Sequence, residues 1–212
     1  MAEDQTSSSL YQLEALLDKL HRHKTVGYAD AWRKRGELLS IFANVARKYD
    51  RLDVALEQHV EGTDERLIDT AADLCVYAAK YLTWLAEEHP ESFSEPPAAP
   101  PAADCADADG PNAVTTVLGA LASWETACGV GSPPTLDEAW SRVKIAFVPL
   151  EAALLAQAGA INGQTIGWAH KCRLLWELTH AAAWLTIHVA ERHRSQFAEW
   201  QAEIDAMDIS PT

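Results

Sequence analysis

The chain has 212 residues, a formal net charge of −14 and a pI near 4.9, and this negative field disfavours general nucleic-acid binding because it repels the phosphate backbone. Its four cysteines form no C-x-x-C pair, which argues against a zinc site or a dense disulfide framework. No uncharged apolar run reaches the roughly 18 residues of a membrane span, so we expect a cytoplasmic protein that does not bind membranes.

The periodicity of apolar residues predicts an all-α fold. They recur at intervals of three and four along most of the chain, and strand signals are almost absent. The predicted helices cover about 9–23, 30–59, 64–89, 113–127, 136–158 and 164–206. Thr63 is the expected N-cap of the third helix, and Pro149 is expected to kink or interrupt the fifth.

Two pairs of similar segments predict an internal repeat. ADAW at 29–32 matches DEAW at 137–140, and AEEHPESF at 86–93 matches AERHRSQF at 190–197. Residues 94–112, rich in Pro, Ala and Asp, have no apolar periodicity and predict a linker. The alternative is that alanine-rich helices produce such matches by composition alone.

The predicted organisation therefore has three parts. A helical repeat at 1–93 carries the candidate site, the linker follows at 94–112, and a degenerate, structural repeat occupies 113–212. The two repeats are expected to pack against each other as a helical bundle.

The segment IDTAADLCVYA, residues 68–78, places Asp69 and Asp73 one helical turn apart, opposite an apolar stripe. One interpretation is a solvated helix edge. The other is a metal site, because Mg²⁺ prefers carboxylate oxygens, and the end of the preceding helix offers Asp50 and Asp53 across a predicted hairpin. The second interpretation predicts that the four aspartates hold a magnesium ion.

Positive charge is concentrated in the same part of the chain. Nine of the 17 lysines and arginines lie within the 33 residues 19–51. Lys48 and Arg51 are expected on the turn that faces the third helix, where they would neutralise phosphates. The alternative is a surface of salt bridges, such as one between Arg66 and Asp69.

The second half differs at the corresponding positions. An offset of 104 residues places Arg173 and Glu177 where Asp69 and Asp73 stand, and Trp184 where Lys80 stands. An Arg–Glu pair at this spacing neutralises itself, so the second half is predicted to be a structural partner.

The fragments GYADAW (27–32), ARKYDRL (46–52) and DERLIDTAADLCVYA (64–78) resemble the nucleotide modification associated domain of phage and bacterial proteins. The resemblance covers about residues 20–88, and Gly27 and Ala29 depart from the family pattern. The matching positions are Tyr28, Asp30, Trp32, Lys48, Arg51, Leu52, Asp69, Thr70, Asp73, Leu74 and Tyr77. More broadly, the pattern is similar to the all-helical nucleotide pyrophosphohydrolases of the MazG and dimeric dUTPase type, although the spacing of Asp69 and Asp73 is one residue longer than theirs.

The resemblance implies a Mg²⁺-dependent protein that binds nucleotides or hydrolyses nucleoside triphosphates, as a monomer or homodimer. Lys48, Arg51 and Asp73 would be catalytic. Metal binding would fall to Asp50, Asp53, Asp69 and Asp73, and substrate binding to Tyr28, Asp30, Trp32 and Tyr77. The rival hypothesis is a non-catalytic helical module that binds a nucleotide or a protein partner.

Overall fold

The computed structural model describes residues 2–57, 66–90 and 111–207, except for the side chains of 2–9, 24–30 and 111–113. The regular elements in these ranges are all helical, which confirms the predicted all-α class. The α-helices are α1 (Ala2–Tyr28), α2 (Ala43–Glu57), α3 (Leu67–Glu88), α4 (Pro111–Gly119), α5 (Leu121–Cys128), α6 (Leu136–Gln157), α7 (Trp168–Arg192) and α8 (Arg194–Ala206).

The chain between α1 and α2 is irregular. A 3₁₀ turn covers Ala29–Trp32, and a π-helical turn covers Glu37–Phe42 directly before α2. Gly36, at the start of the π-helical turn, has φ 78°, a conformation that residues with a side chain rarely adopt. The prediction of one continuous helix over 30–59 was therefore wrong, because the 3₁₀ turn, the positive φ of Gly36 and the π-helical turn precede α2.

Three other predicted boundaries change. The helix expected at 113–127 divides into α4 and α5, and the helix expected at 164–206 begins at Trp168 and divides at His193. α6 continues through Pro149 without interruption. Thr63 and most of the predicted linker lie outside the described residues, and the last two linker positions, 111 and 112, already belong to α4.

Helices α3 and α7 form the centre of the core. Their most extensive contacts are with each other, and α7 also packs along α6 while α2 packs on α3. Small residues such as Ala71, Ala78 and Ala182 are fully buried and allow close approach of the helices. Cys75 Sγ lies 3.5 Å from the carbonyl oxygen of Thr179, a pair separated by the 104-residue offset of the proposed repeat. The duplication itself stays a prediction.

A buried polar network fixes the π-helical turn against the central helices. Lys171 Nζ of α7 lies 2.6 Å from Glu37 Oε1, and the Tyr81 hydroxyl of α3 donates to the same carboxylate oxygen. The Lys171 ammonium also lies 3.9 Å from the centre of the Trp168 ring. Burial lowers the pKa of Lys171 and raises that of Tyr81. The network links the π-helical turn before α2 to α7, in the other half of the chain.

No helix within the described ranges has both the length and the apolar character needed to cross a bilayer.

Candidate functional site

A cleft of about 380 Å³ opens in the first half, bordered by α1, the 3₁₀ turn, α2 and α3. Its lining combines aromatic, cationic, acidic and neutral polar side chains. These residues are Leu20, His21, Ala31, Trp32, Asn44, Arg47, Asp73, Val76, Tyr77 and Lys80. Its volume and mixed lining are typical of a site for a small organic molecule.

The packing of α2 decides which of its side chains reach the cleft. Val45 and Leu52 are fully buried and, together with Lys48, share one face of the helix at 100° per residue. Asn44 and Arg47 lie beside this face and border the cleft. With the apolar face of α2 packed in the core, Asn44 contributes an amide and Arg47 a guanidinium to the cleft lining.

Asp73 lies in the wall of the cleft and pairs with Lys48. The Lys48 Nζ to Asp73 Oδ2 distance is 2.8 Å, with side-chain exposures of 7% and 12%. A charge this well buried is stable only with a partner, so Lys48 neutralises the carboxylate. Asp73 still borders the cleft, where its carboxylate can accept hydrogen bonds from a ligand.

The aromatic part of the cleft surrounds a lysine. Lys80 Nζ lies 5.5 Å from the ring centres of both Trp32 and Tyr77, within the range of cation–π attraction. Lys80 is buried except where it borders the cleft. Aromatic faces next to a cation are suited to a ligand with a planar ring and a negative charge.

His21 of α1 also lines the cleft. Burial, and then the positive charge of Lys80, lower the pKa of His21 to about 4. The imidazole is therefore neutral near pH 7 and offers one donor and one acceptor nitrogen.

The structure does not bring the four aspartates predicted to bind metal together. Asp69 Oδ2 lies 2.9 Å from Arg66 Nε, outside the lining of the cleft, and Arg66 also binds Glu203 of α8. This is the surface salt bridge that the sequence offered as the alternative for Asp69. Asp50 instead lies near Glu151 of α6. Burial of Glu151 and the negative charge of Asp50 raise the pKa of Glu151.

Asp53 lies on the same side of α2 as Asp50. Burial and the charge of Asp53 raise the pKa of Tyr49, whose ring stacks on Phe147 of α6. Among residues 2–57, 66–90 and 111–207, no three His, Cys, Asp or Glu side chains converge as a metal site. The predicted four-aspartate arrangement is therefore not present among these residues, and magnesium binding stays a prediction.

The remaining predicted residues have different positions. Trp32 and Tyr77 border the cleft, as does Asp73, whereas Arg51 is exposed on α2 and is not part of the lining. The side chains of Tyr28 and Asp30 are outside the described part of the chain.

Four polar or charged cleft residues were not among the predicted site residues: His21, Asn44, Arg47 and Lys80. Lys80 follows Asp73 by seven residues, which places both on one side of α3. Arg47 is one of the nine basic residues within 19–51. The sequence therefore gave a reason to expect both residues at the site. His21 and Asn44 gave no signal, because their roles depend on how α1 and α2 turn toward α3.

At the predicted repeat offset, α7 carries buried aromatic side chains. Trp184 is 4% exposed and donates from Nε1 to His180 Nε2 at 3.1 Å, and the same His180 nitrogen lies 3.1 Å from Glu125 Oε2. Trp124 stacks near Trp176 with ring centres 6.2 Å apart. Arg173 and Glu177 form the predicted ion pair at 3.8 Å.

Comparisons with known proteins give limited information. The chain is 26% identical over 110 residues to the "Gene 30 protein" of Bacillus phage SP01, a match that covers 42% of this chain and 49% of that protein. The chain thus matches about half the length of this curated relative. No protein-family profile matches the sequence, and no solved structure is similar to it.

Proposed function

We propose that the chain binds a nucleotide in the cleft between α1, α2 and α3, as a binding module without a resident metal. The observation that carries the proposal is the position of Lys80, between the rings of Trp32 and Tyr77 in a cleft that also holds Arg47 and Asp73. Aromatic rings stack on bases, cations attract phosphate, and a carboxylate accepts hydrogen bonds from base or sugar. A nucleotide is a common ligand that presents all three chemistries together.

The geometry gives less support to the hydrolase predicted from the resemblance. A metal-dependent pyrophosphohydrolase needs several carboxylates around its ions. Here Asp73 borders the cleft but is neutralised by Lys48, and Asp69 is held by Arg66 outside it. The binding module is therefore the function that the described side chains support best.

The test uses two aspartates of the same helix. Isothermal titration of the purified chain with a panel of nucleosides and nucleotides should identify a ligand for the wild type. Asp73→Asn should weaken its binding about tenfold or more, because a carboxylate in the cleft is lost. Asp69→Asn is the matched control one turn away and should bind like the wild type. If the two variants bind equally well, or if no nucleotide binds the wild type, the proposal is wrong.

A second measurement separates binding from hydrolysis. The chain is incubated with nucleoside triphosphates and Mg²⁺, and release of phosphate and pyrophosphate is measured. We expect no release above a blank without protein. Release by the wild type that is lost in Asp73→Asn would replace the binding module with the hydrolase.

A further inference from the structure

An asparagine at the start of α2 connects the π-helical turn to an arginine of the cleft. Asn44 Nδ2 donates to the carbonyl oxygen of Ser40 at 2.9 Å, and Asn44 Oδ1 accepts from Arg47 Nη2 at 2.8 Å. A carbonyl oxygen only accepts hydrogen bonds, and a guanidinium only donates them. The two contacts therefore need one donor and one acceptor on the same short side chain, which an amide provides.

The Ser40 end of these contacts lies in a well-anchored part of the fold. Ser40 is buried, and its Oγ accepts from the backbone N–H of Arg35 at 2.9 Å. Its carbonyl oxygen also accepts from the backbone N–H of Ala43, and the last two residues of the π-helical turn are buried in the core. Ser40 thus gives the Asn44 amide an acceptor in a defined position.

The other end of these contacts lies at the cleft. Asn44 and Arg47 both line it, and Arg47 is an exposed residue. An exposed arginine has many rotamers, so ordering it when a ligand binds costs conformational entropy. The bond to Asn44 restricts the guanidinium before the ligand arrives and leaves its other N–H donors for an anion.

We propose that Asn44 is a positioning residue, which holds the Arg47 guanidinium at the cleft to receive the negatively charged phosphate of the nucleotide. This inference rests on the proposed function and adds to it a residue that acts through another. A guanidinium forms charge-assisted hydrogen bonds with phosphate, and a fixed guanidinium forms them at a smaller entropic cost. The contribution of Asn44 to binding therefore depends on Arg47 and on the charge of the ligand.

The test is a double-mutant cycle, measured by isothermal titration of the full chain with a nucleotide that binds the wild type. Arg47→Ala should weaken binding about tenfold, because charge-assisted hydrogen bonds are lost. Asn44→Ala should weaken it about threefold to fivefold, because the guanidinium is no longer held. The double variant should bind like Arg47→Ala alone. Losses that multiply in the double variant, or unchanged affinity in Asn44→Ala, would overturn the inference.

The corresponding nucleoside separates positioning from a general structural role. It has no phosphate, so Asn44→Ala should bind it within about twofold of the wild type. Equal losses for nucleoside and nucleotide would mean that the substitution disturbs the whole cleft, and would contradict the positioning role.

An arginine partner outside the cleft lining provides the matched control. On α6, Arg142 Nη2 donates to Glu138 Oε1 at 2.8 Å, and neither residue lines the cleft. Glu138→Ala removes this partner and should change the affinity for neither compound. A loss of nucleotide affinity as large as that in Asn44→Ala would count against a specific effect of Asn44 and overturn the inference.

The inference and the proposed function can fail separately. If Arg47→Ala binds the nucleotide as tightly as the wild type while Asp73→Asn binds it weakly, the inference is wrong and the proposed function stands. If no nucleotide binds the wild type, the proposed function is wrong and the inference falls with it.

Discussion

Helices α3 and α7 are the two central helices, and they differ most where α3 borders the cleft. Tyr77 and Lys80 of α3 form part of the cleft wall, whereas the residues 104 positions later, Ala181 and Trp184, are buried in the core. At the predicted repeat offset, a lysine that borders the cleft in α3 corresponds to a buried tryptophan in α7. At these two positions α3 and α7 differ in the size and charge of their side chains.

The largest expected effect tests whether Trp184 stabilises the fold. Trp184 is buried beside His180 and His188, so Trp184→Ala leaves a large cavity and should lower the free energy of unfolding by about 3–5 kcal/mol. Lys80→Ala at the corresponding position of α3 enlarges an existing cleft and should cost about 1 kcal/mol or less. Urea unfolding followed by circular dichroism measures both. Similar losses in the two variants would mean that the two helices do not differ in this way.

Two of the buried lysines, Lys171 and Lys48, provide a second comparison. Lys171 is 1% exposed and pairs with Glu37, so Lys171→Met leaves a carboxylate without its partner in the core and should cost about 3 kcal/mol or more. Lys48→Met should cost about 1–2 kcal/mol, because water in the cleft can solvate Asp73.

Chemical unfolding of both single variants measures this difference. The double variant Lys171→Met, Glu37→Gln is the control: it should recover part of the lost stability, because the unpaired charge is removed. If the double variant is less stable than Lys171→Met alone, the buried charge is not the cause of the loss.

The fold class could be predicted from the sequence, because apolar spacing reports directly on helices. The boundaries were less predictable where single residues decide them. Gly36 gave no sign that it would adopt φ 78° and begin a π-helical turn. The Lys171–Glu37 pair also escaped prediction, because its members are 134 residues apart and only tertiary packing brings them together.

Part of the candidate site could also be predicted, because helical spacing relates residues within one helix. Asp73 and Tyr77 share one helix with Lys80, so a helical wheel alone relates them. Asp50 and Asp53 were expected to face α3, but buried Val45 and Leu52 turn them toward α6. α2 carries both acidic and basic residues. The rotation of the helix about its axis decides which of them line the cleft, and only Arg47 among them does.

A residue exchange makes the first half resemble the second. Lys80→Trp places in α3 the residue that α7 has at position 184, and the indole should occupy much of the cleft. We expect at least tenfold weaker binding of the nucleotide ligand, with a free energy of unfolding within about 1 kcal/mol of the wild type. Calorimetry and urea unfolding measure the two quantities. Glu88→Trp, at the exposed end of the same helix, is the control and should bind normally. Unchanged affinity in Lys80→Trp would mean that the ligand binds elsewhere.

The smallest expected effect concerns an acid in the interior of the first half. In the second half Glu125 Oε2 lies 3.1 Å from His180 Nε2, but Glu14 Oε1 of α1 is buried and has no hydrogen-bond partner among the described residues. Burial raises the pKa of Glu14 from 4.5 to about 7. The folded chain therefore keeps a proton on Glu14 that the unfolded chain releases above pH 4.5, so folding stability falls as pH rises between these two values.

Removing the carboxyl should therefore stabilise the chain at high pH only. Glu14→Gln should unfold like the wild type at pH 4.5 and gain about 1 kcal/mol at pH 8, a value reduced because Glu14 is partly exposed. Urea unfolding at several pH values measures this difference, with exposed Glu199→Gln as the control that should show none. A gain for Glu14→Gln that is equal at low and high pH would contradict an origin in the buried charge, because a neutral amide differs from the glutamate chiefly once the glutamate has lost its proton. A gain confined to high pH would show that the negative charge of the buried Glu14 carboxylate is what destabilises the folded chain.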